Sequence, residues 1–169
     1  VKTQSDPLAA KQRAASQNAL QRTGINGAAS LNVPAALVSA PGYSSDDNLA
    51  IIGGRVMPPD TNGDVDDQYF VQYVNLGWVA LNKSDGSIAA GPFAGNTFWA
   101  GFGGPCQNNN AGDPIVIYDH LADRWLISQF ALPGGAQGQH ECVAISRTPD
   151  PVAGGWFLAR TPVSAEEVP

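Results

Sequence analysis

The run Asp60-Thr-Asn-Gly-Asp-Val-Asp-Asp carries an oxygen-bearing side chain at every second position: Asp60, Asn62, Asp64 and Asp66. Calcium takes about six to eight oxygen ligands, and this spacing lets one loop supply several of them. The run departs from the EF-hand rule, because Gly63 stands at its fourth place instead of its sixth and Val71 replaces the bidentate Glu. The expectation is a calcium site on these four side chains. The alternative is a solvated acidic turn whose Asx side chains cap backbone N–H groups. Asn108, Asn110 and Asp113 offer companion oxygens from a second polar loop.

Catalytic sets are harder to assemble. Asp113 precedes Pro114 at the entry to an apolar run, where it is a metal ligand, a catalytic carboxylate or a cap on neighbouring N–H groups. His140 and Glu141 form an acid–base pair by type, but adjacent residues of a strand point to opposite faces. His120 falls in a turn, where Asp119, Asp123 and Arg124 suggest a stabilising Asp–Arg pair. Ser128 and Ser146 lack the glycine pattern of a nucleophile elbow. Binding a substrate carboxylate calls for clustered arginines, and Arg55, Arg124, Arg147 and Arg160 show no cluster. Aromatic rings could stack on sugars. The Gly-rich Trp99–Gly104 stretch reads as a loop that exposes Phe98, Trp99 and Phe102 as ligand-binding candidates, whereas Trp78, Trp125 and Trp156 read as core.

The two cysteines, Cys106 and Cys142, read as a disulfide, against an alternative of two buried thiols. Without CxxC spacing they make a poor zinc site.

The elements that must hold these residues are short strands. Pro114–Tyr118, Arg124–Ala131, Glu141–Arg147 and Trp156–Arg160 are apolar runs bounded by Gly, Pro, Asn or Asp, the pattern of consecutive antiparallel strands. Four such strands match one propeller blade, about 40–50 residues long. PIVIY is continuously apolar, as expected of an innermost strand buried on both faces. WFLAR ends in a charge and reads as an edge. Upstream, Gln68–Asn75, Gly77–Asn82 and Ser87–Ala90 predict three more strands, with Lys83-Ser-Asp-Gly as a hairpin turn. The expected fold is all-β, with one full and one partial propeller blade; a small β-sandwich is the alternative. Asp6 and Pro7 open a helical stretch that ends near Gly24, residues 25–43 read as an extended tether, and Leu49–Gly53 suggests a short strand. This divides the chain into an arm, 1–55, and a propeller segment, 56–169.

Composition narrows the function classes. The 9 basic residues are outnumbered by 15 acidic ones, for a net charge of −6, so the clustered cations of a nucleic-acid interface are missing. Gly and Pro number 19 and 13, which suits a loop-rich β protein better than a helical bundle. No apolar run reaches the roughly 18 residues of a membrane span. Val1 reads as a processed N-terminus.

At MPPDTNGDVDDQYFVQYVN, GFGGPCQNNNAGDPIVIYDHLADRWLISQFA and ECVAISRTPDP, the chain resembles secreted bacterial exoproteins with a sialidase-superfamily-like propeller fold, over about residues 57–160. The resemblance implies a propeller and an extracellular or periplasmic location. The function it leads to expect is a calcium-stabilised ligand-binding or assembly module. An incomplete propeller must be completed by a second polypeptide, from the same precursor or a partner subunit, because blades bury their apolar faces only against neighbours. The alternative is an extracellular hydrolase acting on glycans through rim carboxylates, such as Asp113.

Overall fold

A computed structural model describes residues 35–135 and 138–163. The chain divides into two units, Val1–Leu37 and Val38–Pro169. The first lies almost wholly outside the described residues, and with it the expected helix after Pro7 and most of the expected tether.

The second unit is all-β, built of two four-stranded antiparallel sheets with few helices. The first sheet holds β1 (Thr61–Val65), β2 (Tyr69–Val74), β3 (Gly77–Asn82) and β4 (Ile88–Ala94), and the second β5 (Ile115–Asp119), β6 (Arg124–Ala131), β7 (Gln139–Ser146) and β8 (Trp156–Val163). Each is a simple meander in chain order. Local chemistry sets the turns. Asn75 takes φ 45° between β2 and β3, a left-handed conformation that Asn tolerates. The expected turn at Lys83–Gly86 forms, with Gly86 at φ 74° and its N–H donating to the Asn82 carbonyl at 2.8 Å.

Two expectations about this sheet need correction. The Asp60–Asp67 run is no loop: its centre is β1, so the first sheet has four strands rather than three. Apolar alternation could not reveal it, because Thr61, Asn62, Gly63 and Asp64 are polar or small. Leu49–Gly53 belongs to a helix, α1 (Ser45–Ile52), instead of a strand. Ser44 caps it in a reciprocal box with Asp47, and Gly53 ends it at φ 76°.

The sheets pack face to face through Val71, Tyr73, Trp78 and Ala80 of the first and Val116, Trp125, Ile127 and Ala144 of the second. Alternation along the strands then leaves each sheet a second face. On the first sheet, Val74, Val79 and Leu81 are covered by Tyr43, with Ile51 of α1 packed alongside. Polar bonds fasten this cover. Tyr43 Oη donates to Asn48 Oδ1 at 2.6 Å, Asn48 Nδ2 to the Val74 carbonyl at 2.9 Å, and Tyr43 N to Gln72 Oε1 at 2.8 Å. The second sheet has no such cover among the described residues. Its β5 alternates strictly: Val116 and Tyr118 are buried, while Ile115 and Ile117 are each 47% exposed. The expectation that PIVIY is buried on both faces is therefore met on one face only.

Candidate functional site

β1 and β5 run side by side at the junction of the sheets, and the acidic run forms a clamp there. The side chains of Asn62, Asp64 and Asp66 point at β5 and β6. Asn62 Oδ1 accepts from Val116 N at 2.6 Å, and Asp64 Oδ2 accepts from Tyr118 N at 2.8 Å. Asp66 is buried; its Oδ2 accepts from Trp125 Nε1 at 3.1 Å, while its Oδ1 caps the N–H groups of Gln68 and Tyr69. Asp60 accepts from Asn75 Nδ2 at 3.0 Å, which also donates to the Pro58 carbonyl at 2.9 Å. Unpaired β5 amides in this junction would carry a desolvation penalty, and the clamp satisfies them.

These four side chains do not fit a calcium cage. Three of them aim oxygens at N–H groups of β5, β6 and the β1–β2 turn, and the fourth faces Asn75. Among the described residues no three His, Cys, Asp or Glu side chains gather as a metal requires. The capping alternative describes Asp66 well. Asn108 ends a short helix, α2 (Gly104–Asn108), and Asn110 donates through Nδ2 to the Leu76 carbonyl at 2.8 Å. Neither it nor Asp113 joins the clamp.

The aromatic candidates separate. Phe98 and Trp99 lie on a 3-10 turn, Gly95–Trp99, that tucks both rings into the core. Phe98 stacks on Trp78 at 4.2 Å between centroids and meets Trp156 edge-on at 5.0 Å. Their faces are closed to a sugar; Phe102 alone of the three is exposed. A Gly-rich stretch reads locally as exposed loop, but the 3-10 turn just before its glycines sets Phe98 on Trp78 and Thr97 Oγ1 within 3.0 Å of Trp78 Nε1, and the expectation fails for that reason. Trp125 is core as expected, and Trp156 packs against the core half-buried. Cys106 of α2 and Cys142 of β7 are bonded, with sulfurs 2.05 Å apart, so the expected disulfide staples this turn region to the second sheet.

The acid–base candidates scatter. Asp113 is exposed at φ 49°. Glu141 is half-buried on the outer face of the second sheet. Burial pushes its carboxyl above the usual glutamate range, the nearby Asp113 charge adds to this, and a bond with Ser128 opposes it. His120 is exposed and sits edge-on to the Tyr118 ring at 5.0 Å. Ser146 is structural, accepting from Trp125 N at 2.9 Å and donating to the Thr148 carbonyl at 2.7 Å. The expected Asp–Arg pair is absent from the turn: Arg124 donates to the Asp123 carbonyl at 2.6 Å, and Asp123 instead accepts from the Tyr118 hydroxyl. That bond pushes the hydroxyl up to about 12 and keeps it protonated.

Two further surfaces stand out among the described residues. One is an acidic cleft of about 420 Å³ lined by Asp66, Asp67, Tyr118, Asp123 and Asp150. Several of these carboxylates already hold backbone N–H groups or ring donors; Asp150, for instance, accepts from Val152 N and Ala153 N. The other is the outer face of the second sheet, where Ile117, Leu126, Ile145 and Phe157 form one cross-strand row. Phe157 is 60% exposed, and the Arg147 guanidinium lies 5.0 Å from its ring centroid. Sequence inspection did not single out this face, though PIVIY carried its signal: isoleucines on the side opposite Val116 and Tyr118.

No helix among the described residues is long and apolar enough to cross a membrane. The chain matches no protein-family model, no curated protein and no solved structure.

Proposed function

We propose that the chain is an assembly module: two adjacent blades of a β-propeller whose array is completed by another polypeptide. The observation that carries this is the asymmetry of the two outward faces. The first sheet's is covered by α1 and Tyr43, whereas the second's presents Ile115, Ile117, Ile145 and Phe157 to solvent. Contiguous apolar patches larger than a few hundred Å² are uncommon on soluble monomers and mark interaction sites. Two meandering four-stranded sheets, joined through their first strands, are the arrangement of neighbouring blades around a channel. The Cys106–Cys142 bond favours an oxidising compartment, in keeping with a secreted protein resembling the sialidase-like exoproteins.

Light scattering coupled to size exclusion tests the reading. Native material is expected to elute with a second chain, and material expressed alone to bind an apolar dye and self-associate as concentration rises. A dye-silent, monodisperse monomer near 17.6 kDa with a cooperative melt would refute it and favour a self-contained sandwich. The rival reading, a glycan hydrolase, has one observation in its favour: burial, with the nearby Asp113 charge adding to it, pushes the Glu141 carboxyl above the usual glutamate range, the direction a general acid needs. Cleavage of any member of a glycan panel, lost in Asp113→Asn and Glu141→Gln, would establish it.

A further inference from the structure

The junction between the two sheets shows how a third sheet would be received. Asp66 enters the β1–β2 turn, and its Oδ1 accepts from the N–H groups two and three residues on, Gln68 at 2.6 Å and Tyr69 at 2.5 Å. Asp119 enters the β5–β6 turn, and its Oδ1 likewise accepts from the groups two and three residues on, Leu121 at 2.8 Å and Ala122 at 3.0 Å. The two aspartates hold the same place in their hairpins. Counting back by twos, Asp64 and Asn62 correspond to Ile117 and Ile115. The first pair points from its sheet into the junction; the second points out of the second sheet into solvent. The outer face of the second sheet is thus the counterpart of the face by which the first sheet holds the second.

One difference separates the counterparts. Asp66 also accepts, through Oδ2, the indole N–H of Trp125 from the neighbouring sheet. Asp119 shows the same turn-capping oxygen in use, while no donor reaches its Oδ2 from among the described residues.

Resting on the assembly reading above, we propose that this face docks a further four-stranded antiparallel sheet from another polypeptide. Ile115, Ile117, Ile145 and Phe157 form the dry contact. Asp119 Oδ2 takes a hydrogen bond from an aromatic N–H or O–H on the incoming sheet's second strand, as Asp66 does from Trp125. A second copy of this chain cannot reproduce that contact. Its second sheet already occupies the inner face of its first sheet, and α1 and Tyr43 cover the outer one. Two copies could meet only outer face to outer face, which brings no second-strand indole to Asp119. Because Ile115 and Ile117 replace Asn62 and Asp64, the new junction lacks the side-chain clamp on backbone amides and relies on apolar burial with one polar anchor.

The test places a benzoylphenylalanine photo-cross-linker at position 117 of the full chain, in the cells that produce it, and sequences the joined peptides. The expected product joins position 117 to a strand from outside residues 35–163, flanked by Trp or Tyr. Asp119→Asn keeps the turn-capping oxygen but sets an amide where the acceptor stood. It is expected to cut the yield about tenfold with the chain's own melting midpoint unchanged, and Ile117→Lys, in a chain carrying the cross-linker at 115, to abolish it. Cross-links to residues 115–117 of a second copy, or to a peptide without an aromatic donor, would overturn the proposal. Loss with Ile117→Lys but not with Asp119→Asn would remove the docking register and leave the assembly reading standing. No covalent product at either position, with a monomeric chain, would remove both.

Discussion

Replacing Asp64 with alanine tests whether the acidic run is a clamp or a metal site. In the folded chain Asp64 Oδ2 accepts from Tyr118 N at 2.8 Å, and Oδ1 accepts from Val65 N, also at 2.8 Å. The alanine leaves the Tyr118 N–H facing the junction without its partner. A hydrogen bond to a charged group contributes about 1.5–3 kcal/mol, and a stranded buried donor costs about the same. Asp64 is half-buried, so we take about 2 kcal/mol. For a folded unit of this size each kcal/mol moves the midpoint by roughly 3–5 °C. The expected drop is therefore about 6–10 °C by circular dichroism melting, with Asp67→Ala, at an exposed neighbour, within about 0.5 kcal/mol of the parent. Melts run in calcium and in EDTA complete the cycle. A clamp predicts the same drop in both and no effect of EDTA on the parent. Calcium bound only by the folded state would stabilise it by mass action, so EDTA would lower the parent's midpoint and Asp64→Ala would cancel that effect. That outcome, or an unshifted Asp64→Ala midpoint, would refute the clamp.

The disulfide, Glu141 and Gly77 each offer a further test. Alkylation of the denatured, unreduced chain is expected to label neither cysteine; opening the bond, whose partners are 36 residues apart, removes about 4 kcal/mol in the chain-entropy model, so a reduced chain that melts like the parent would contradict it. Glu141 has a folded-state pKa above its unfolded one, so its contribution to stability is full at pH values below the ordinary glutamate range and is lost as pH rises through the raised value. Glu141→Gln should therefore raise the melting midpoint near pH 7 and give no gain near pH 4; equal effects at both would show that its carboxyl is not held up. Gly77→Ala puts a methyl 2.1 Å from Tyr43 Oη and 2.5 Å from Asn48 Oδ1, and is expected to cost about 1–3 kcal/mol and to loosen the cover over the first sheet, read as faster amide exchange in α1; unchanged exchange would show that Tyr43 does not anchor it.

Seven of the eight strands were legible in the sequence, because apolar alternation between Gly, Asn and Asp turns is a local property of the chain. The disulfide was legible from composition. β1 was not, since its residues carry no apolar alternation: Asn62 and Asp64 pair with Tyr73 and Val71 of β2, and their side chains find their partners only in β5 amides some 54 residues away. The same residues read locally as metal ligands, because alternate oxygens along a strand look alike whether they meet a cation or a neighbouring N–H. Phe98 and Trp99 went the same way: ring exposure depends on what packs above the turn, which no local pattern records. Glu141 and Asp113 lie close enough to couple only because β7 and the approach to β5 share one end of a sheet. Conversely, the isoleucines of PIVIY marked β5 as a strand with two faces to bury. The order of residues determined that demand; the tertiary structure decided which face is met within the chain, because Val116 and Tyr118 find the first sheet while Ile115 and Ile117 find solvent.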